Sequence, residues 1–589
     1  MNCDPRRGDD VRRAFGGRMR GSARAFGKTG FWVLAGLALT VGAFLMWRLR
    51  HPVYDVVIEW GRVYDGERML PFGSGVAVRQ GLVSRTGFVF GLRAKRRINA
   101  WGKVVSPGFI DTHAHVEASV APGRPFRAPN FVQMGVTTVI TGNCGTSAAD
   151  IDGFLQGLEK AGGHVNLATL AGHNTIRQLV LGRKLNPSEA DLESMAERLE
   201  KALEAGAFGL SSGLEYHPGI HATEAELVRL ARVAARRDRI YVTHLRNEGV
   251  ECESALDEAL RTAKAAGVRL HVSHLKIAAP SSWERMGAVL EKLQAARRAG
   301  LPISQDVYLY GASSTSLDIV LPEQHRNLAA VRPRLTDRRF REDLIRQMAA
   351  RLARQGFPDC SHMVVAYASD PVFRGRTIPE ISASISPLLR KEPWRMEKGD
   401  APGISSELRL ELETVLYLLW RGGAQMIYHA MKEENLEAIL RDPFTMIGSD
   451  SSVRTRSTAT SHPRGSGNCA RLLAKYVREK GVLDLPEALR RLTSLPADTF
   501  RIHGRGRLRP GYAADIVIFD PVRVEDRATY EAPLEPPAGI SHVLVNGVSV
   551  VEHGRLDSVF PGKPLRAGNQ NQIGSRRIPS VRRTSTASD

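Results

Sequence analysis

Two histidines separated by one residue, His113 and His115, follow an apolar run that begins at Val104. Side chains two residues apart on a strand point to the same face, so both imidazoles can converge on one ion. A single His-x-His pair also arises by chance on a protein surface. The pair therefore predicts a metal site only if other ligand-type residues fall at equivalent positions of the fold.

The elements that would position these histidines are eight apolar, β-branched runs that alternate with helical patterns. The predicted strands are 108–113, 137–141, 166–171, 208–212, 240–244, 270–274, 303–308 and 445–450. The predicted helices include 189–205, 224–236, 253–266 and 283–299. Eight strands with intervening helices close a (β/α)8 barrel, so the predicted fold class is α/β with a TIM barrel.

Further segments extend this barrel. The interval of about 309–442 is too long for one crossover and predicts an insertion between strands 7 and 8. Short strand patterns at 53–105 and 504–560 predict a small β-sandwich module built from both ends of the chain. The barrel with its insertion then occupies 106–503.

Ligand-type side chains gather at the carboxyl ends of the predicted strands, where barrels of this kind build their active sites. These residues are His113, His115, Cys144, His244, His274 and Asp450. Imidazole, thiolate and carboxylate groups are the ligands that zinc prefers, so Zn²⁺ is the predicted cofactor. Such a site lowers the pKa of bound water and polarises a carbonyl oxygen.

Two of these residues have simpler interpretations. Cys144 lies between two glycines after the second strand, and it is either a metal ligand or an inert buried thiol. Asp450 could cap a following helix. Its place on the eighth strand favours a catalytic role, in which the carboxylate takes a proton from water and passes it to the leaving nitrogen.

The formal charge of +20 does not indicate a nucleic-acid protein, because residues 1–28 and 561–589 supply ten of the excess positive charges. Residues 30–47 carry no charge and can span a bilayer as a helix. We therefore predict a basic tail at 1–29, a transmembrane anchor at 30–49 and a disordered basic tail at 561–589. The positive residues before the span predict a catalytic body on the non-cytoplasmic side. The five scattered cysteines form no disulfide framework.

Several segments together resemble one enzyme family. They are Ser106–His115, Gly142–Gly145, Ser211–Gly219, Thr243–Glu248, Ser273–Lys276, Asp306–Tyr308, Ile447–Asp450 and His462–Arg464. In order and spacing they resemble the N-acyl-D-amino-acid deacylases (D-aminoacylases) of the amidohydrolase superfamily, over about residues 54–550. The cysteine after strand 2, combined with His-Pro-Arg after strand 8, distinguishes this family from its relatives.

The resemblance implies one tightly bound zinc held by Cys144, His244 and His274. It also implies a second, weaker site formed by His113 and His115, with Cys144 and Asp450 shared. Substrate contacts are implied for Tyr216, Lys276, Tyr308, Ser314 and Arg464. For Arg464 the chemistry agrees, because a guanidinium binds a carboxylate in a bidentate fork. Lys276 could instead be a salt-bridge partner, Tyr308 a packing aromatic, and Ser313 or Ser316 could replace Ser314.

The function implied is zinc-dependent hydrolysis of N-acyl-D-amino acids to a carboxylate and a free D-amino acid. One alternative is a cyclic amidohydrolase of the dihydropyrimidinase or dihydroorotase type. Those enzymes usually carry a modified lysine on the fourth strand, and 208–212 contains none. The other alternative is a non-catalytic, membrane-tethered binding protein that retains the scaffold.

Overall fold

The computed structural model describes residues 33, 35–43, 46, 52–391, 394, 396, 403–455 and 462–568. The predicted tail at 1–29 and much of the predicted anchor at 30–49 lie outside these residues. Within the described part of the chain, no helix has the length and apolarity needed to cross a membrane. Membrane attachment stays a prediction.

The N-terminal part is a set of short strands. They are β1 (Tyr54–Glu59), β2 (Arg62–Val63), β3 (Gly75–Arg79), β4 (Leu82–Gly87), β5 (Ala94–Asn99) and β6 (Val104–Pro107). The first sheet has the order β4-β3-β1-β5, and β6 belongs to a second sheet. Because β6 runs almost directly into the barrel, it fixes the entry of the chain into the first barrel strand.

The barrel strands follow. They are β7 (Phe109–Asp111), β8 (Val136–Thr141), β9 (Asn166–Thr169) with its continuation β10 (Ala171–Gly172), β11 (Gly209–Gly213), β12 (Ile240–His244), β13 (Arg269–Val272) and β14 (Ile303–Val307). Neighbouring strands pair in parallel. Each of these overlaps a predicted strand, and the α/β fold class is confirmed.

Between β14 and the last barrel strand lies the insertion. Its strands are β15 (Ser313–Ser316), β16 (Met363–Ala368) and β17 (Ala424–Tyr428), which form a separate antiparallel sheet. Its helices are Leu328–Val331, Arg338–Gln355, Ile378–Leu389 and Ser406–Trp420. These elements bury a hydrophobic core of their own. The predicted range of 309–442 also included the helix Glu433–Arg441, which packs on the barrel helix Met286–Arg298.

The eighth barrel strand, β18 (Thr445–Ile447), pairs with β14 in parallel. Beyond it, Ala114 and Ser451 form a parallel bridge, and Asp450 N donates to His113 O at 2.8 Å. These contacts join the last strand to the first at the carboxyl end. The barrel therefore closes at the level where the predicted site residues lie.

Helices surround the barrel, and most of them bury one apolar face. They are Pro129–Gln133, Ile151–Ala161, His173–Leu181, Glu189–Glu204, Glu224–Arg236, Cys252–Ala266, Met286–Arg298, Glu433–Arg441, Arg464–Arg471, Leu485–Leu492 and Ser494–Phe500. The helix Glu189–Glu204 shows how the local sequence starts such a helix and gives it a buried face. A Ser188–Asp191 capping box begins it, and Met195, Leu199 and Leu203 are buried at intervals of four residues.

The chain ends with β19 (Ile516–Phe519), β20 (Ile540–Val545), β21 (Val548–Glu552) and β22 (Arg555–Leu556). They complete the second sheet, in which β19 pairs with β6. Apolar side chains of the two sheets share one core. Residues 561–568, assigned to the tail by the sequence analysis, continue the folded part: Leu565 N donates to Leu167 O at 2.8 Å.

Candidate active site

A cysteine and two histidines from three different barrel strands meet at the barrel mouth. Cys144 Sγ lies 3.7 Å from His244 Nδ1 and 3.4 Å from His274 Nε2, and the two histidine nitrogens are 3.0 Å apart. Ligand atoms that share one zinc ion at 2.0–2.3 Å are separated by roughly 3 to 4 Å. All three side chains are buried. Both the donor set and its spacing fit a zinc ion.

The predicted His-x-His pair lies beside this group. His113 Nε2 is 3.3 Å from Cys144 Sγ, and His115 Nε2 is 3.2 Å from Asp450 Oδ1. His113 Nε2 is also 3.7 Å from Asp450 Oδ1. Cys144 is therefore close to ligands of both candidate metal positions. The fourth strand, β11, contains no lysine.

Unusual backbone conformations aim these side chains inward. Cys144, His274 and Asp450 have positive φ values of 50°, 33° and 48°. L-residues rarely adopt this left-handed region, and such positions concentrate at functional sites. Gly213 permits the close approach of its strand, because a Cβ there would lie 2.1 Å from Cys144 O. The turns at the strand ends are thus built around the site.

Carboxylates stand behind the histidines and orient them. His274 Nδ1 is 2.8 Å from Glu248 Oε1, and His244 Nε2 is 3.3 Å from Glu215 Oε2. Asp306 accepts from His271 Nε2 at 2.9 Å and faces His113 Nδ1 at 3.7 Å. The hydrogen bond to Glu215 fixes the His244 tautomer that leaves Nδ1 free for a metal. At His274, Glu248 shares Nδ1 with Lys276 Nζ, which lies 2.9 Å from that nitrogen.

The sequence analysis missed these three carboxylates as functional residues. Glu215 and Glu248 lie within segments quoted for the family resemblance, two and four residues after a strand end, and Asp306 lies on a strand. The available signal was their position near the strand-end histidines. An acidic residue in a loop after a strand is too common for that signal to single them out.

Electrostatics in the cluster favour a neutral His274 imidazole and disfavour a free Cys144 thiolate. Burial, with the positive charge of Lys276, lowers the pKa of His274 to about 3. Burial and the nearby carboxylates raise the pKa of the Cys144 thiol well above its usual value. A divalent cation would reverse the second effect, because a coordinated thiol is deprotonated. The neutral imidazole of His274 is already in the protonation state that binds metal.

Asp450 is held ionised. Burial opposes its ionisation, but the Arg464 guanidinium and the hydrogen bond from His115 hold its pKa well below the usual range. Arg464 Nη1 is 2.8 Å from Asp450 Oδ2, and Arg464 Nη2 donates to Ser314 O at 3.2 Å. The predicted carboxylate-binding arginine therefore contacts the predicted base directly.

The remaining predicted substrate residues surround this pair. Lys276 Nζ forms a salt bridge with Glu248 Oε2 at 2.6 Å, which is the alternative role predicted for it from the sequence. Lys276 also lines the cleft. The hydroxyl of Tyr308 is buried without a hydrogen-bond partner in the described structure, and Arg464 lies over its ring at 4.4 Å. Tyr216 accepts a hydrogen bond from Thr315 Oγ1 at 3.2 Å. An unpartnered hydroxyl in a cleft is free to meet a ligand.

A cleft of about 950 Å³, including its open mouth, starts at this cluster and runs into the insertion. His244, His274 and Asp450 line one end, with Tyr216, Tyr308 and Ser314 beside them. The insertion thus forms a wall of the site. All the predicted ligands and substrate-binding residues lie in or next to one cavity at the barrel mouth.

Comparisons with known proteins agree with this architecture. The sequence profile of the amidohydrolase family matches residues 96–551. N-acyl-D-glutamate deacylase from Alcaligenes xylosoxydans xylosoxydans is 33% identical over 537 residues, which cover 87% of this chain and 96% of that protein. D-aminoacylase from the same organism is 30% identical over 536 residues, or 87% and 97% of the two chains.

A solved structure shows the same similarity in three dimensions. The crystal structure of N-acyl-D-glutamate deacylase from Bordetella bronchiseptica, complexed with zinc and a phosphonate inhibitor, superposes with a TM-score of 0.71 at 30% identity. The match covers 88% of this chain and all of that one. The resemblance inferred from the motifs is confirmed, and this chain belongs to the amidohydrolase family, where its relatives include N-acyl-D-amino-acid deacylases.

Proposed function

We propose that this protein is a zinc-dependent deacylase that hydrolyses N-acyl-D-amino acids. Water adds to the amide carbonyl, the C–N bond breaks, and a carboxylate and a free D-amino acid result. The observation that carries the proposal is the convergence of Cys144, His244 and His274 beside the Asp450–Arg464 pair.

Cys144, His244 and His274 would hold one zinc ion tightly, and His113, His115 and Asp450 would supply a weaker second position. When bound there, zinc would supply acidification of a water molecule and polarisation of the amide carbonyl. Glu248 and Glu215 keep the histidine nitrogens aimed at the metal position. Burial of the cluster excludes bulk water and strengthens these interactions.

Asp450 acts as the proton carrier. Its carboxylate accepts the proton of the attacking water and delivers it to the nitrogen that leaves. Arg464, with Lys276, Tyr308 and Ser314, would bind the α-carboxylate of the substrate. When that carboxylate engages Arg464, it competes with Asp450 for the guanidinium, which raises the basicity of Asp450 at the moment when substrate is bound. Tyr216 donates toward the oxygen that gains negative charge.

The test is a panel of paired substrates on the zinc-loaded protein. N-acetyl derivatives of D- and L-leucine, glutamate and aspartate are assayed for release of the free amino acid, with dihydrouracil and hydantoin as cyclic competitors. We expect release from D-enantiomers only, and loss of about 10³-fold in kcat for Asp450→Asn. Preferential ring opening of the cyclic amides would reject the deacylase assignment.

A protein that bound zinc but turned over none of these compounds would instead fit the tethered binding protein. The zinc content of the Asp450→Asn variant serves as the control, since loss of metal would explain its inactivity without a role in proton transfer. Unchanged turnover in a zinc-loaded Asp450→Asn protein would remove Asp450 from the mechanism.

We also propose that residues 30–49 anchor the chain in a membrane, with the barrel on the non-cytoplasmic side. The uncharged run at 30–47 and the eight positive residues before it support this proposal. Fractionation of cells that express the full chain, or a chain that begins at residue 52, tests it. Recovery of the full chain in the soluble fraction would contradict it.

A further inference from the structure

The cleft has two ends of different chemistry. At the metal end its walls carry charged and polar groups, among them Lys276, Tyr308 and Asp450. At the other end it enters the hydrophobic core of the insertion. We call this second end the apolar arm; it is lined by Ile319, Val320, Met348, Phe357, Leu412 and Val415.

The arm reaches side chains that solvent barely touches. Leu412 and Val415, on the helix Ser406–Trp420, are 1% and 0% exposed, and Met348, on the helix Arg338–Gln355, is 2% exposed. These residues line the cleft and also belong to the packed core of the insertion. A ligand group that reaches them leaves water almost completely.

The polar residues of the arm do not demand a charged ligand. Arg351 is the cation there, and it already faces Glu215 Oε1 at 3.7 Å. His362 stacks on Phe357 at 3.6 Å between ring centroids, and burial lowers its pKa to about 4, so the imidazole is neutral. The arm therefore offers a mainly apolar surface, in which Arg351 faces a carboxylate that Arg326 also contacts.

The contacts at the cleft also orient a substrate. Strand β15 contacts both groups, because Ser314 O accepts from Arg464 while the next residue along the strand, Thr315, donates to Tyr216. Arg464 would hold the amino-acid carboxylate, and Tyr216 lies toward the insertion. An amide positioned between them directs its acyl side past Tyr216, toward Ile319 and the arm.

We propose that the apolar arm binds the acyl chain of the substrate, and that the preferred substrates carry medium-length or longer acyl chains rather than acetyl. This inference rests on the proposed deacylase function and names its substrate class. Each methylene that enters the arm would improve kcat/KM by at most about fourfold. The acyl chain thereby supplies the binding that a small acetyl group cannot.

The experiment is a chain-length series on the zinc-loaded protein, with the D-amino acid held constant and acetyl, butanoyl, hexanoyl, octanoyl and succinyl groups compared. We expect kcat/KM to rise by at least about 100-fold from acetyl to octanoyl. A flat or falling series would overturn the inference while leaving the deacylase function intact. A preference for succinyl over hexanoyl would also overturn it, in favour of Arg351 as an anion anchor.

A variant of the arm tests whether the acyl chain binds there. Ile319→Trp should narrow the arm and lower the octanoyl-to-acetyl ratio of kcat/KM by at least tenfold. Val372→Trp is the matched control, because Val372 lies on the insertion, is 58% exposed and does not line the cleft. An equal ratio in the Ile319 variant and the wild type would place the acyl chain elsewhere.

A binding measurement tests the apolar arm independently of the proposed hydrolytic activity. Calorimetric titration of the zinc-loaded Asp450→Asn protein with N-octanoyl and N-acetyl derivatives of one D-amino acid needs no turnover. Tighter binding of the octanoyl compound, with a more negative heat-capacity change, supports the arm even if no substrate is hydrolysed by the wild type. Equal affinity for the two compounds would overturn the arm assignment.

Discussion

Two groups of side chains in this protein have ligand atoms spaced closely enough to hold a metal ion, but the surroundings of the two groups differ. Cys144, His244 and His274 form the barrel-mouth cluster, and His542, Glu552 and His553 form the sandwich cluster on β20, β21 and the turn that follows. In each, the ligand atoms lie within 4.8 Å of one another. Proximity alone does not distinguish them.

The surroundings of the two clusters distinguish them. In the barrel-mouth cluster, Glu215 and Glu248 stand behind the two histidines, and all three ligands are buried. In the sandwich cluster, His553 is 77% exposed, and Arg96 already forms a salt bridge with Glu552. A competing guanidinium takes the one anionic ligand and repels a cation. Burial and carboxylates placed behind the histidines therefore mark the barrel-mouth cluster as a metal site, whereas the spacing of the ligand atoms does not.

The largest expected effect is loss of the barrel-mouth thiolate. Cys144→Ser should weaken zinc binding by more than about 100-fold, because substitution of an orienting partner alone costs 10–100-fold. D-amino acid release should fall in parallel. The measurement is zinc content by atomic absorption after dialysis, with turnover on the same samples.

The matched controls for this prediction are Cys360→Ser and His542→Ala. Cys360 is a fully buried free cysteine within the insertion, away from the metal cluster. Both controls should retain the zinc content of the wild type. Loss of zinc in His542→Ala, with retention in Cys144→Ser, would invert the contrast between the two clusters.

A smaller effect is expected from the carboxylate behind His274. Glu248→Gln keeps the shape but removes the charge that orients His274 and pairs with Lys276. Zinc affinity should fall by about 10–100-fold, and the fold should persist. Competition with a fluorescent zinc chelator measures the affinity. Glu552→Gln is the control, and an equal loss in that variant would show that Glu248 has no special relation to the metal.

Sequence reasoning located the barrel because its parallel strands are buried on both faces and read as continuous apolar runs. The same reasoning found Cys144 and the histidines, since each stands at or near the end of such a run. It did not find Glu215, Glu248 or Asp306, whose roles depend on which histidine nitrogen each faces. That relation is set by tertiary packing between different strands and loops.

For the insertion, the sequence predicted a range of residues but none of its strands or helices. Its sheet, with β15 paired to β17 across more than a hundred residues, has no local signature. The apolar arm likewise joins residues from two distant helices and a short loop, so no sequence window contains it. The helix Glu433–Arg441 ends the predicted range of 309–442, and its helical pattern is the same whether it packs on the insertion or on the barrel.

The smallest expected effect concerns pH and tests the sandwich cluster itself. Burial, together with the positive charges of His553, Lys103 and Arg96, lowers the pKa of His542 to about 4, against about 6.5 in the unfolded chain. The folded form therefore binds fewer protons than the unfolded form between these values. The associated stability is complete above pH 6.5 and is lost as the pH falls toward 4, and after screening by solvent the loss is on the order of 1 kcal/mol.

Urea unfolding of the zinc-loaded wild type and of His542→Gln at pH 8, 6 and 5 measures the contribution of His542 to the free energy of unfolding. The variant should lose less stability than the wild type on acidification, because glutamine does not titrate. The same cations that depress the pKa of His542 would oppose a dication at Glu552, so added zinc should leave the acid sensitivity unchanged. If excess zinc protected the wild type but not His542→Gln from acid, the sandwich cluster would be a true metal site, and the distinction drawn from its surroundings would fail.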